Sequence, residues 1–106
     1  MQQTYIMVLC SAPDSTEADK IAGEILREKL AACITMQPNV YSLYHWQGEI
    51  QQDREVLMMI KTTAGLFDKL SEAIKSLHSY DTPEIIALPI TQGEPRYLNW
   101  IDQVTQ

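Results

Sequence analysis

Few side chains in this sequence have the types and spacing for chemistry. The soft-ligand candidates are Cys10, Cys33, His45 and His78, and their spacings match no zinc motif. Buried packing is the default reading of Cys10, and still more of Cys33, because a free cysteine behaves as a small hydrophobe. His78 falls just past a predicted helix end, where a cation favours the helix dipole, so capping competes with ligation. His45 lies among aromatic residues on a predicted strand and reads first as packing. A second constellation joins Lys61 to the loop His78–Glu84. Lys61 ends an otherwise apolar strand and can pair with a carboxylate or hold an anionic ligand, and Tyr80 and Glu84 add a phenol and a carboxylate. An interfacial salt bridge without a ligand is the equal alternative. Ser11 has no histidine partner by spacing, and four scattered glycines build no phosphate loop. No catalytic constellation emerges, and the chain reads as a binding protein rather than an enzyme.

The elements that must position these residues are organised around Tyr41–Thr63, two long strands joined at Gln47, Gly48 and Glu49. Gly48 supplies the positive φ of a tight turn. Tyr41 to Trp46 is rich in aromatic residues that suit a pleated surface. Val56 to Ile60 is continuously apolar, so Val56, Met58 and Ile60 face one way and Leu57 and Met59 the other. Upstream, Thr4–Cys10 reads as a strand with two apolar faces. Asp14 with Glu17 matches a helix N-cap and its acidic N3 residue, and the helix is expected to run to about Leu30 with Ala18, Ile21, Ala22, Ile25 and Leu26 on its apolar side. Ala32–Met36 begins the next strand, with a bulge or bend at Pro38 and Asn39. Thr63 is expected to cap a second helix with Leu66, Phe67, Leu70, Ala73, Ile74 and Leu77 as its apolar stripe. Glu84–Thr91 is a strand whose Pro89 implies an edge or a bulge. Arg96–Val104 is a short terminal helix. Trp46 and Trp100 read as packing anchors.

The order is strand, helix, strand, strand, helix, strand, small helix, which is α+β and the βαββαβ sandwich of the ferredoxin-like fold. Two helices cover one face of the sheet. The other keeps apolar residues that a soluble monomer would rarely expose, so self-association is expected. The 106 residues suit one domain. The net charge of −6, without a Lys/Arg cluster, argues against a nucleic-acid partner. No stretch is long enough to span a bilayer. Residues 1 to 10 do not read as a signal peptide. A cytoplasmic location with reduced thiols is the expectation.

Several blocks, in order, resemble the CutA family of divalent-cation-tolerance proteins. They are Leu9-Cys10-Ser11-Ala12-Pro13-Asp14, Leu30-Ala31-Ala32-Cys33, Tyr44-His45-Trp46-Gln47-Gly48, Glu55 to Thr62, Tyr80-Asp81-Thr82-Pro83-Glu84 and Tyr97-Leu98-Asn99-Trp100-Ile101. The resemblance implies a homotrimer with hairpins wrapping between subunits, kinship of architecture with the PII signalling proteins, and a cleft between subunits lined by Lys61, Tyr80 and Glu84. It also implies a copper-type divalent cation bound in response to metal ions. Cys10 matches the cysteine, and His78 the second of two adjacent histidines, to which copper binding is attributed in some members. Leu77 stands where the first histidine would be. Thiolate and imidazole suit copper or zinc, but two ligands do not make a stable site, so affinity is expected to be weak. The alternative is a PII-like module holding a small ligand in the intersubunit cleft.

Overall fold

A computed structural model describes residues 4–106; residues 1–3 of the predicted single domain lie outside the described residues. The elements are β1 (Tyr5–Ala12), α1 (Ser15–Arg27), β2 (Cys33–Trp46), β3 (Glu49–Thr63), a 3-10 turn (Ala64–Leu66), α2 (Phe67–Leu77), β4 (Ile86–Ile90) and α3 (Pro95–Val104). They form one antiparallel sheet in the order β2-β3-β1-β4, the ferredoxin-like arrangement read from the sequence.

Alternation along the strands decides what each face buries. Ile6, Val8, Cys10 and Ala12 of β1 and Val56, Met58 and Ile60 of β3 point under the helices, where they meet Ile21 and Ile25 of α1 and Leu70 and Ile74 of α2. Fully burying each Val, Leu, Ile or Met among them stabilises the fold by about 1.5–3 kcal/mol before chain entropy is counted. The backbone partners Leu9, Met59 and Ile86, and Met7 and Leu88, lie on the opposite face. There Ile86 and Leu88 of β4 are exposed. α3 crosses one end of that open face. Its Ile101 is buried, Asp102 accepts a hydrogen bond from the Tyr5 hydroxyl, and the Lys61 ammonium sits 5.9 Å from the Tyr97 ring centre.

The ends of the elements refine the sequence reading. Asp14 caps α1 as expected, its side chain accepting from the Glu17 N–H at 2.8 Å. The helix stops at Arg27 rather than near Leu30. Lys29 takes a left-handed φ of 59°, and the Leu30 N–H turns back to the Ile25 carbonyl at 3.0 Å, closing a Schellman-type end at a position where glycine is usual. Thr63 does not cap α2 with its side chain; it ends β3, and a 3-10 turn intervenes. Glu94, which the sequence reading missed, caps α3 by accepting from the Tyr97 N–H at 3.0 Å, with Pro95 following it. β4 is shorter than Glu84–Thr91 because β1 pairs with it only across Ile86–Ile90, and it is an edge strand, as Pro89 required.

The hairpin turns through Gln47 (φ 51°) and Gly48 (φ 81°), the two positive values a tight two-residue hairpin turn demands. One extra residue enters β2 between Gln37 and Val40, with Asn39 at φ 59°, so the bulge foreseen at Pro38 and Asn39 is present. Beyond Val56, β3 pairs only with β2, and the hairpin projects past the rest of the sheet.

Candidate functional site

The end of β1, the start of α1 and the loop after α2 meet at the carbonyl of Ser11. α2 ends at His78, whose backbone turns extended. Its side chain is wholly buried. Nε2 lies 2.7 Å from the Ser11 carbonyl oxygen, and Nδ1 accepts from the Tyr80 N–H at 3.1 Å. With Nδ1 as acceptor, the ring proton sits on Nε2, which donates to Ser11. Glu17, read from sequence only as a first-turn residue, lies 3.4 Å from Nδ1 and accepts from both the N–H and the hydroxyl of Ser79, at 3.0 and 2.9 Å. The first turn of α1 is thereby tied to a loop 62 residues away, a link that no local sequence signal announces.

Cys10 is buried, with Sγ 3.8 Å from the same Ser11 carbonyl. Burial first, then the carboxylates of Glu84, Glu17 and Glu55, push its thiol from an ordinary 9.0 up to about 12. Cys10 and His78 therefore approach one carbonyl, but the thiol is held protonated at neutral pH and both ring nitrogens are engaged. Among the described residues, no group of three or more His, Cys, Asp and Glu side chains is arranged to hold a metal ion.

Tyr80 packs its ring against His78, centre to centre at 4.7 Å, and its hydroxyl donates to Glu55 Oε2 at 2.6 Å. Burial and that hydrogen bond raise the phenol well above its usual range. Tyr80 and Glu84 line a groove of about 740 Å³ with Ser11, Glu55, Asp81 and Thr82 on one side and residues 41–46 of the hairpin on the other. His45 and Trp46 belong to that wall and are exposed, so within one chain they do not pack as their types suggested, whereas Trp100, 38% exposed on α3, packs its ring 5.6 Å from that of Tyr97.

Lys61 is not part of this groove. It stands six residues along β3 from Glu55, about 20 Å at the rise of a strand, with its ammonium 3.9 Å from Cys33 Sγ. The structure brings Tyr80 and Glu84 together and leaves Lys61 at the α3 end of the sheet. Cys33 is half-buried on the β2 edge and pairs across the sheet with Lys61.

The family pattern described as "CutA1 divalent ion tolerance protein" matches residues 6–104. The chain belongs to the CutA1 family. A divalent-cation tolerance protein CutA of Escherichia coli is 46% identical over 99 residues, which is 93% of this chain and 88% of that one. CutA1 of Oryza sativa superposes with a TM-score of 0.95 at 43% identity, covering 97% of this chain and 94% of the rice chain. A structure described as the periplasmic divalent cation tolerance protein CutA of Archaeoglobus fulgidus superposes with a TM-score of 0.94 at 36% identity, covering 96% and 99%. CutA1 proteins are thus named for divalent-cation tolerance, as the resemblance implied. One of these relatives is called periplasmic, so a cytoplasmic location does not follow from the family. Among the described residues no helix is long and apolar enough to cross a membrane.

Proposed function

We propose that this CutA1 chain acts without catalysis as a cytoplasmic homotrimer in the response to divalent metal ions, taking a copper-type cation weakly. Membership of a family named for divalent-ion tolerance, matched over residues 6–104, carries the reading. The open face of the sheet supports self-association: Leu9, Met59, Ile86 and Leu88 lie on it, and Ile86 and Leu88 are 50% and 43% exposed. For the cation, Cys10 and His78 are the proposed ligands. Binding must strip the thiol proton and break a hydrogen bond of the imidazole, so affinity is low unless a neighbouring copy supplies a third ligand. Calorimetric titration with Cu(II), run in parallel with thiol assays to exclude oxidation of the cysteine, tests this. Wild type should bind weakly, Cys10→Ser and His78→Ala more weakly still, and Leu77→His more tightly. Equal affinities in all four proteins would remove Cys10 and His78 as ligands.

A second reading has its own observation. The groove beside Tyr80 and Glu84 is large enough for a small organic molecule. It supports a PII-like module that binds a ligand there, with Lys61 reaching the ligand only if another copy presents it.

A further inference from the structure

The groove has a chemical character of its own. Its walls carry the aromatic rings of Tyr44, Trp46 and Tyr80 and the carboxylates of Glu55, Asp81 and Glu84, and among the described residues neither lysine nor arginine lines it. Glu55 is only 7% exposed. Buried carboxylates are ordinarily paired with a cation, because desolvating an unpaired charge is costly. Among the described residues no lysine or arginine forms an ion pair with Glu55, Asp81 or Glu84. Among the described residues the side-chain hydrogen-bond partner of Glu55 is a neutral one, the Tyr80 phenol at 2.6 Å. The groove therefore holds negative charge that the chain itself does not neutralise, within a molecule of net charge −6.

Two further facts narrow the counter-charge. The carboxylates do not converge as a group able to hold one metal ion. They are spread along an open groove, which suits a cation whose charges are also spread. The rings of Tyr44, Trp46 and Tyr80 beside those carboxylates are the second fact. Electron-rich ring faces attract ammonium and guanidinium groups and bury alkyl segments at the same time.

We propose that the groove between residues 41–46 and the loop Tyr80–Glu84 binds a linear aliphatic polyamine. Its ammonium groups lie against Glu55, Asp81 and Glu84, and its methylene segments lie along Tyr44 and Trp46. This rests on the small-ligand reading of the groove and names the ligand class. No covalent step is involved.

The test uses the full chain in its native assembly and in a Trp100→Phe background, which leaves Trp46 as the one tryptophan of the two. Spermidine is the probe, titrated by Trp46 fluorescence at low ionic strength. A saturable change is expected, weakened about threefold by each of Asp81→Asn and Glu84→Gln, both exposed loop positions, as befits single exposed charge contacts, and weakened further by salt. Asp68→Asn on the outer face of α2 should leave the affinity unchanged. No saturable binding, as when a neighbouring copy closes the groove, would overturn the proposal. So would equal weakening by Asp68→Asn, which would mean diffuse attraction to an acidic surface, or tetramethylammonium binding as well as spermidine. A thermal-shift panel containing spermidine, tetramethylammonium and adenosine triphosphate separates the two levels of the argument. A shift with the nucleotide alone keeps the small-ligand reading and sinks the polyamine; no shift with any member sinks both.

Discussion

Replacing His78 by leucine isolates the part of the site that holds the loop in place. Leucine fills much of the ring's volume, so the cavity contribution is small, and both hydrogen bonds are lost. The Ser11 carbonyl, on a buried residue, loses its 2.7 Å donor and keeps only a weak 3.8 Å side-chain contact from Cys10 Sγ, and the Tyr80 N–H loses its 3.1 Å acceptor. A buried polar group left unsatisfied costs about 1–3 kcal/mol, and the half-buried Tyr80 falls at the low end, so the sum is about 3 kcal/mol. For a domain of this size 1 kcal/mol shifts the melting temperature by about 4 °C or more, which gives a fall of about 12 °C. Thermal unfolding followed by circular dichroism measures it, at one fixed protein concentration because self-association raises apparent stability. His78→Gln, which offers an amide donor and acceptor, should recover part of the loss. A His78→Leu protein melting within about 2 °C of wild type would refute the reasoning, because it would mean that neither bond contributes net stability.

The two neighbouring methionines of β3 should separate folding from assembly. Met58 is fully buried in the core and Met59 faces the open side, so Met58→Asp should abolish the folded state while Met59→Asp folds but sediments as a smaller species by light scattering. A Met59→Asp protein of unchanged size would show that the open face is not the interface. Stability should also fall with rising alkalinity. The Cys10 thiol is raised in the folded state to about 12 from an ordinary 9.0, so the folded protein retains a proton that the unfolded chain releases. Its contribution is fully present below pH 9 and is lost as pH rises towards 12. Cys10→Ala should flatten the loss of melting temperature across that window, and an identical profile in the variant would discount the thiol.

The parts of the structure that depend on neighbours along the chain were legible in the sequence. Asp14 and Glu17 marked the helix start, Gly48 the turn, Pro38 and Asn39 the bulge, and Pro89 an edge. Each is a local conformational constraint that its residue type carries with it. What failed to show was set by contacts between distant segments. Lys61, Tyr80 and Glu84 were read as lining one cleft between subunits; within one chain Tyr80 meets Glu55 while Lys61 meets Cys33 and Tyr97. The side chain of Glu17 fits a helix-start pattern but reaches Ser79 instead. His78 could be placed at a helix end, but the sequence contains nothing to say that both ring nitrogens are spent. The early stop of α1 was hidden because Lys29 adopts a conformation that its type disfavours.

The extra residue at Pro38–Asn39 acts as a phase change in the strand. Before it, the odd-numbered Cys33, Thr35 and Gln37 pair with Lys61, Met59 and Leu57; after it, the even-numbered Val40, Ser42, Tyr44 and Trp46 pair with Glu55, Asp53, Gln51 and Glu49. All of these β3 partners share one parity and hence one side of the ribbon. Cross-strand partners share a side, so removing the extra residue would keep every pairing and every side and would take away only the local bend and its added twist. The bulge works as a slack link: it lets the chain carry one residue more between the core part of β2 and the outer hairpin while Tyr44 and Trp46 still stand on the side of Glu55.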